Sequence, residues 1–348
     1  MYSTHKYRGF VFILTHRYLR RYLSRQTAVV QPSPRSRPRS PVWLPRRPRA
    51  HPRLFDKWDE IDWNEYKKNE YQKKAEKKLR GYAIFGTKYG DAAELFRKAG
   101  TAYKLAKTWD KAANVYIQLA NCHIKLQSKH EAASAFVEAS VCYKKFDSKE
   151  AIKYMNLAVQ IYMEIGRLSM AAKYFKKIAE TYEKEEALAE AMEFYEKAAE
   201  LYDGEESTSQ GNQCKLMVAQ FAAVLEQYEK AIEIFEAVAS HSMNNNLTRY
   251  SVKGYLLNAG LCLLVGCDPI AISNALKKYQ EMDPSFSNSR ECKLLSDLAA
   301  SIEEEDVDKF TNAVKEFDSM TRLDQWKTTI LLKAKNALKD FAHQEDFT

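Results

Sequence analysis

The closest approach to a reactive site in the chain is Gly81-Tyr-Ala-Ile-Phe-Gly-Thr-Lys. It nearly spells the phosphate cradle G-x-x-x-x-G-K-[ST], in which a lysine directly after the second glycine reaches the phosphates and the next hydroxyl holds the metal. Here Thr87 and Lys88 stand in the reverse order and no strand pattern precedes them, so neither group reaches its target. A flexible loop fits the segment better, with Gly81 and Gly86 favouring irregular backbone. Cys122, His123 and His130 share a helical surface but match no zinc spacing, and they read as packed or solvated side chains. Asn246-Leu-Thr248 is a glycosylation sequon without meaning in a reducing compartment. These residues give catalysis no support, and no cofactor or metal is expected.

The elements that hold these residues are helical. The chain has 348 residues with 45% hydrophobic and 29% charged content and only 11 glycines, dominated by Ala, Glu, Lys, Leu and Tyr. That balance favours an all-α fold over strands with tight turns. Six cysteines, Cys122, Cys142, Cys214, Cys262, Cys267 and Cys292, are scattered without a C-x-x-C pair and read as reduced, mostly buried thiols. The longest apolar run, Gly9-Phe-Val-Phe-Ile-Leu, falls far short of the roughly 18–20 residues that span a bilayer.

The formal charge of +8 suggests a nucleic-acid partner until it is divided along the chain. Residues 1–55 hold 13 of the 54 Lys and Arg and none of the 46 Asp and Glu; the remaining 41 bases meet all 46 acids, and the rest of the chain is net −5. A nucleic-acid binder carries its positive footprint on the folded domain, and here it sits on a leader. Seven of the nine prolines fall between Pro32 and Pro52. Residues 1–57 are therefore expected to be a disordered Arg/Pro-rich leader. An organellar transit peptide, a basic low-complexity arm and an extension irrelevant to function all fit it.

From Trp58 the composition changes, and Glu65–Arg80 is a charged helical stretch leading into a repeat. Ala92/Phe96/Ala99/Tyr103 is followed by Ala112/Tyr116/Ala120, Ala132/Phe136/Ala139/Tyr143, Ala151/Ala158/Tyr162, Ala171/Phe175/Ala179/Tyr182 and Ala191/Tyr195/Ala198/Tyr202. The period is about 20 residues, and positions i, i+4, i+7 and i+11 share one helical face. Each unit is one helix whose small and large residues interdigitate with its neighbours, and two units make a hairpin of about 40 residues. This resembles tetratricopeptide repeats, whose stacked hairpins present an extended protein-binding surface. The expectation is a TPR-like helical solenoid over 58–240.

After Tyr202 the pattern loosens. Asp203–Gly211 reads as a polar loop, helices are predicted near Asn212–Gln227 and Tyr228–Ser240, Asn244-Asn-Asn opens a break, and helices resume at about Ser251–Val265 and Pro269–Met282. The last helix places Leu323, Trp326, Ile330, Leu331, Ala334, Leu338 and Phe341 near one face, most of it core. A C-terminal helical bundle is expected over 241–342, then a short acidic tail over 343–348.

Ala106-Lys-Thr-Trp-Asp-Lys-Ala, Leu126-Gln-Ser-Lys-His-Glu-Ala-Ala, Ile165-Gly-Arg-Leu-Ser-Met-Ala-Ala-Lys, Tyr202-Asp-Gly-Glu-Glu-Ser, Ser289-Arg-Glu-Cys-Lys-Leu and Arg322-Leu-Asp-Gln-Trp resemble the alpha-SNAP family in type, order and spacing. The resemblance covers about Glu65 to Thr348, and the leader has no counterpart in it. It implies a cytosolic, non-enzymatic adaptor, peripheral at vesicle and target membranes. Such an adaptor binds assembled SNARE complexes and recruits the hexameric AAA ATPase NSF, which disassembles them during vesicle fusion and intracellular transport.

The resemblance also assigns residues. Arg167 and Lys173 match bases on the SNARE-binding surface, where cations meet an acidic coiled-coil exterior. A further family base falls at Gln213 and another at or near Met217, with Lys215 offset between them. Tyr82, Ile84 and Phe85 match an apolar loop that dips into the membrane surface, flanked by Lys77, Lys78, Arg80 and Lys88 at ~1 kcal/mol per base beside anionic lipid. Glu303 and Glu304 match acidic positions that bind the ATPase, and Phe347 takes the penultimate place usually held by Leu. The competing readings are a different helical-repeat scaffold, such as a binder of chaperone tails with a cationic clamp for a peptide carboxylate, and an organellar protein addressed by the leader.

Overall fold

The computed structural model describes residues 63–81, 88–205 and 208–345. The expected leader, the loop residues Tyr82, Ile84 and Phe85, and Phe347 lie outside the described residues. Among the described residues fourteen α-helices run in order: α1 (Trp63–Arg80), α2 (Lys88–Leu105), α3 (Trp109–Lys125), α4 (Lys129–Tyr143), α5 (Ser148–Glu164), α6 (Leu168–Lys184), α7 (Leu188–Gly204), α8 (Thr208–Val224), α9 (Tyr228–Met243), α10 (Val252–Leu264), α11 (Pro269–Met282), α12 (Arg290–Glu303), α13 (Val307–Met320) and α14 (Gln325–Glu345). The described residues contain no strand.

From α2 to α9 the Ala/aromatic repeat is the core. Ala92, Phe96, Ala99, Tyr103, Ala139, Ala158, Tyr162, Ala179, Tyr195 and Ala198 are buried. Small residues let the helix axes approach while the rings fill the gaps. At Gly100 an added Cβ would lie 2.9 Å from the Tyr116 ring, so only glycine fits between α2 and α3. Polar contacts reveal two layers. Lys104 pairs with Glu138, Lys144 Nζ donates to Thr181 Oγ1 at 2.9 Å, and Lys176 Nζ donates to Gln213 Oε1 at 3.4 Å, which sets α2, α4, α6 and α8 side by side. In the other layer Lys230 joins Glu196 at 2.6 Å and Lys278 joins Glu236 at 2.5 Å, linking α9 to α7 and α11 to α9.

The connections between successive helices are equally regular. Thr108, Ser128, Arg167, Ala187, Gln227 and Asp306 each donate the backbone N–H to the carbonyl five residues back. The residue before each is left-handed: Lys107, Gln127, Gly166, Glu186, Glu226 and Glu305, with φ between +56° and +69°. This turn satisfies the last carbonyls of one helix and reverses the chain within three residues.

Further along, the core changes character. Leu256, Leu261, Leu264, Phe286, Leu298 and Phe310 form a cluster with Ile330, Ala334 and Leu338 of α14. The same cluster takes in Ala219 and Ala223 of α8, so its packing reaches back across position 240. Trp326 Nε1 donates to the Gln220 carbonyl at 3.0 Å, and Lys333 Nζ donates to the Val224 carbonyl at 3.2 Å and to Glu226 at 2.9 Å. One expectation needs correction. The polar loop drawn to Gly211 is shorter, because α8 already begins at Thr208 and Gly211 is buried where a Cβ would meet Asp203 Oδ1 at 2.6 Å. On α14 most of the predicted stripe is core, buried at Ile330, Leu331, Ala334 and Leu338, with Phe341 exposed.

Candidate functional site

Gly81 follows α1, its N–H bonded to the Lys77 carbonyl at 3.1 Å, so a helix stands where a phosphate cradle needs a strand. Lys88 opens α2 and lies 5.1 Å from the Tyr89 ring centroid. His123 is buried with neither ring nitrogen hydrogen-bonded, while His130 is exposed and packs edge-on to Tyr162 at 5.9 Å. No three His, Cys, Asp or Glu side chains gather as a metal site among the described residues. Burial pushes the thiols of Cys142 and Cys214 up to about 11 and that of Cys262 to about 12, so they stay protonated at neutral pH.

Charge is arranged more purposefully. Arg167 is the N-cap of α6; its backbone N–H is spent on the Tyr162 carbonyl at 2.8 Å, and its exposed side chain takes no part in the cap. Lys173 follows one and a half turns later, exposed between buried Ala172 and Tyr174. The inward face of α6, with Ala171, Ile178 and Ala179, fixes the helix and leaves these bases outward. Neither is ion-paired among the described residues. Lys215, by contrast, is bound to Asp203 at 2.6 Å, Gln213 accepts from Lys176, and Met217 is half-buried against the α7–α8 core. α6 therefore carries Arg167 at its start and Lys173 on its exposed side, and α8 contributes no base of its own at Gln213 or Met217.

Glu303 and Glu304 stand at the α12–α13 turn. Glu303 ends α12 and is exposed; Glu304 caps the helix and its carboxylate meets Lys309 at 2.6 Å. The structure adds Glu305, left-handed at φ +56°, and Asp306, whose Oδ1 accepts from the backbone N–H groups of Asp308 and Lys309 at 2.9 and 2.8 Å. Asp306 is thus committed to starting α13, while Glu303 is free to face a partner. The acidic run Glu303-Glu-Glu-Asp was the available signal for the two added residues.

A family model described as "Soluble NSF attachment protein, SNAP" matches residues 66–339. An alpha-soluble NSF attachment protein of Vitis vinifera is 54% identical over 273 residues, 78% of this chain and 94% of that protein. A beta-soluble NSF attachment protein of Bos taurus is 46% identical, covering 75% of this chain and 88% of that one, and the alpha form of Homo sapiens is 43% identical, covering 76% and 92%. Among solved structures, a signal-transduction ATPase of Pyrococcus horikoshii with a tetratricopeptide-repeat sensor aligns at TM-score 0.42 and 15% identity, over 79% of this chain and 44% of that one.

Proposed function

The chain belongs to the soluble NSF attachment protein family, and from that premise we propose that it is a non-enzymatic adaptor joining assembled SNARE complexes to the ATPase NSF. The observation that carries the reading is the outward face of α6, where Arg167 and Lys173 stand without carboxylate partners among the described residues. Unpaired cations on a rigid helix are available to an acidic coiled-coil exterior, and they speed encounter and set orientation.

In this reading residues 58–240 bind the SNARE bundle and 241–342 engage the ATPase. Glu303, and Glu304 through its exchangeable pair with Lys309, offer negative charge to the motor. Phe347 at the penultimate position supplies an apolar contact that stimulates it. Tyr82, Ile84 and Phe85 touch the membrane surface, so that the protein works at vesicle and target membranes from the cytoplasm. No helix among the described residues is long and apolar enough to cross a bilayer, which suits a peripheral attachment.

Reversing both α6 bases, Arg167→Glu with Lys173→Glu, is expected to weaken binding to the assembled SNARE bundle by at least tenfold at about 0.1 M salt, where exposed charges still interact. Co-sedimentation with the bundle measures it. Unchanged binding by the double variant contradicts the assignment of this face. Removing Asp346–Thr348 should leave that binding intact and abolish disassembly.

A further inference from the structure

Helix α6 carries more free charge than Arg167 and Lys173. Lys176, Lys177 and Lys184 lie on the same helix, and none of them is ion-paired among the described residues. The three helices that follow differ: Lys197 of α7, Lys215 of α8 and Lys230 of α9 are held by carboxylates at 2.5, 2.6 and 2.6 Å. The crowding is felt by Lys144, which reaches α6 from the end of α4. Burial, and then the charges of Lys184, Lys177 and Lys145, push its ammonium group below the ordinary lysine value, with Glu180 opposing. A face that repels itself is relieved by an anionic partner.

Lys176 is the point at which this face crosses to the next helix. Its Nζ lies 3.4 Å from Gln213 Oε1, and its charge acts on the Cys214 thiol, both on α8. The base that α8 itself carries nearby, Lys215, is turned to Asp203. The row from Lys173 to Lys184 runs about 16 Å at 1.5 Å per residue. A row spread along a helix suits repeated carboxylates along another helix exterior better than a single small anion.

We propose that Lys176 is a partner-contact residue on the α6–α8 seam, extending over α8 the cationic face that takes the acidic exterior of a coiled-coil bundle. This rests on the adaptor reading and names a residue within the same site.

The test uses the full chain and the assembled SNARE bundle as probe, with melting curves confirming that each variant is folded. Lys176→Gln should weaken binding roughly three- to tenfold at about 0.1 M salt, with a shallower salt dependence. Lys176→Arg should retain binding, and Lys215→Gln, whose base is already engaged, should stay within about twofold. Gln213→Lys placed in the Lys176→Gln background should recover most of the loss, because the new ammonium stands where Lys176 now reaches. Wild-type binding with Lys176→Gln unchanged, or no recovery by Gln213→Lys, overturns the assignment. A variant that loses affinity for duplex DNA and keeps it for the bundle overturns it too. Failure of the unaltered chain to bind the bundle at all would instead overturn the adaptor reading beneath it.

Discussion

The hairpins from α2 to α9 and the helices from α10 to α14 reach a packed all-α interior by different means. The first region builds its core from alanines and aromatic rings, and several of its helices start without a side-chain cap: the side chains of the N-cap residues Thr108, Ser128, Arg167, Ala187 and Gln227 accept no capping hydrogen bond. Asp147, which accepts from Glu150 N–H at 3.1 Å, is an exception. The second region packs Leu, Ile and Phe and caps its helices with Asp268, Asp283, Ser289 and Asp306. Repetition explains the contrast. Where each helix meets a like neighbour, the left-handed turn and the interdigitated core fix the geometry, and outward side chains such as Lys173 are left free for a partner. Where the pattern is lost, local caps and a long return by α14 take over the work.

Core substitutions should separate the regions most strongly. Truncating a large side chain is expected to damage the second region: Leu256→Ala, at a fully buried site, should cost about 2–5 kcal/mol by denaturant unfolding. The first region should be more sensitive to enlargement. Ala158→Leu, also fully buried, should cost about 1–3 kcal/mol through overpacking. If Ala158→Leu is silent, the small-large interdigitation does not set helix spacing as described.

Capping gives the next effect. Asp268 Oδ1 accepts from the N–H groups of Ile270 and Ala271 at 2.9 and 3.1 Å, and Asp268→Ala should lose about 0.5–2 kcal/mol. Ser128→Ala, at an N-cap whose hydroxyl is unused, should stay within about 0.5 kcal/mol. Equal losses at the two sites would erase the distinction between regions.

The smallest effect is a pH dependence confined to the first region. Burial, and then Arg97 of α2, hold the imidazole of His123 below its ordinary value, against Glu131 of α4. The unfolded chain therefore takes up that proton first. The contribution to stability is complete above about pH 6.5 and is lost as the pH falls through the lower folded value. The urea midpoint should decline between pH 7.5 and 5.5, and His123→Leu should flatten that decline; an equal slope in the variant would assign it elsewhere.

These differences also decide how much could be read from sequence. The repeat was visible because Ala and aromatic residues recur on one face, where the alanines are buried and the rings buried or, at Tyr143, Phe175 and Tyr182, half-buried. Its turns were not, because Lys107, Gln127, Glu186 and Glu226 hold left-handed positions for which glycine is the usual signal, and only Gly166 supplied it. α8 was started too late because its first residues, Thr208-Ser-Gln-Gly, are polar and carry no apolar periodicity. Within the candidate site, Arg167 and Lys173 owe their assignment to family resemblance. That Lys215 is held by a carboxylate and Lys176 only by an amide oxygen depends on Asp203 and Gln213, brought close by a hairpin that spacing along the chain does not report.

The central claim is that one chain holds the SNARE bundle and brings the motor to it. Mixing the purified protein with a fluorescently labelled assembled SNARE complex, NSF and ATP tests this directly. Loss of energy transfer that requires both ATP and this protein is the predicted result. An intact bundle, under conditions in which a known alpha-SNAP supports disassembly, would contradict it.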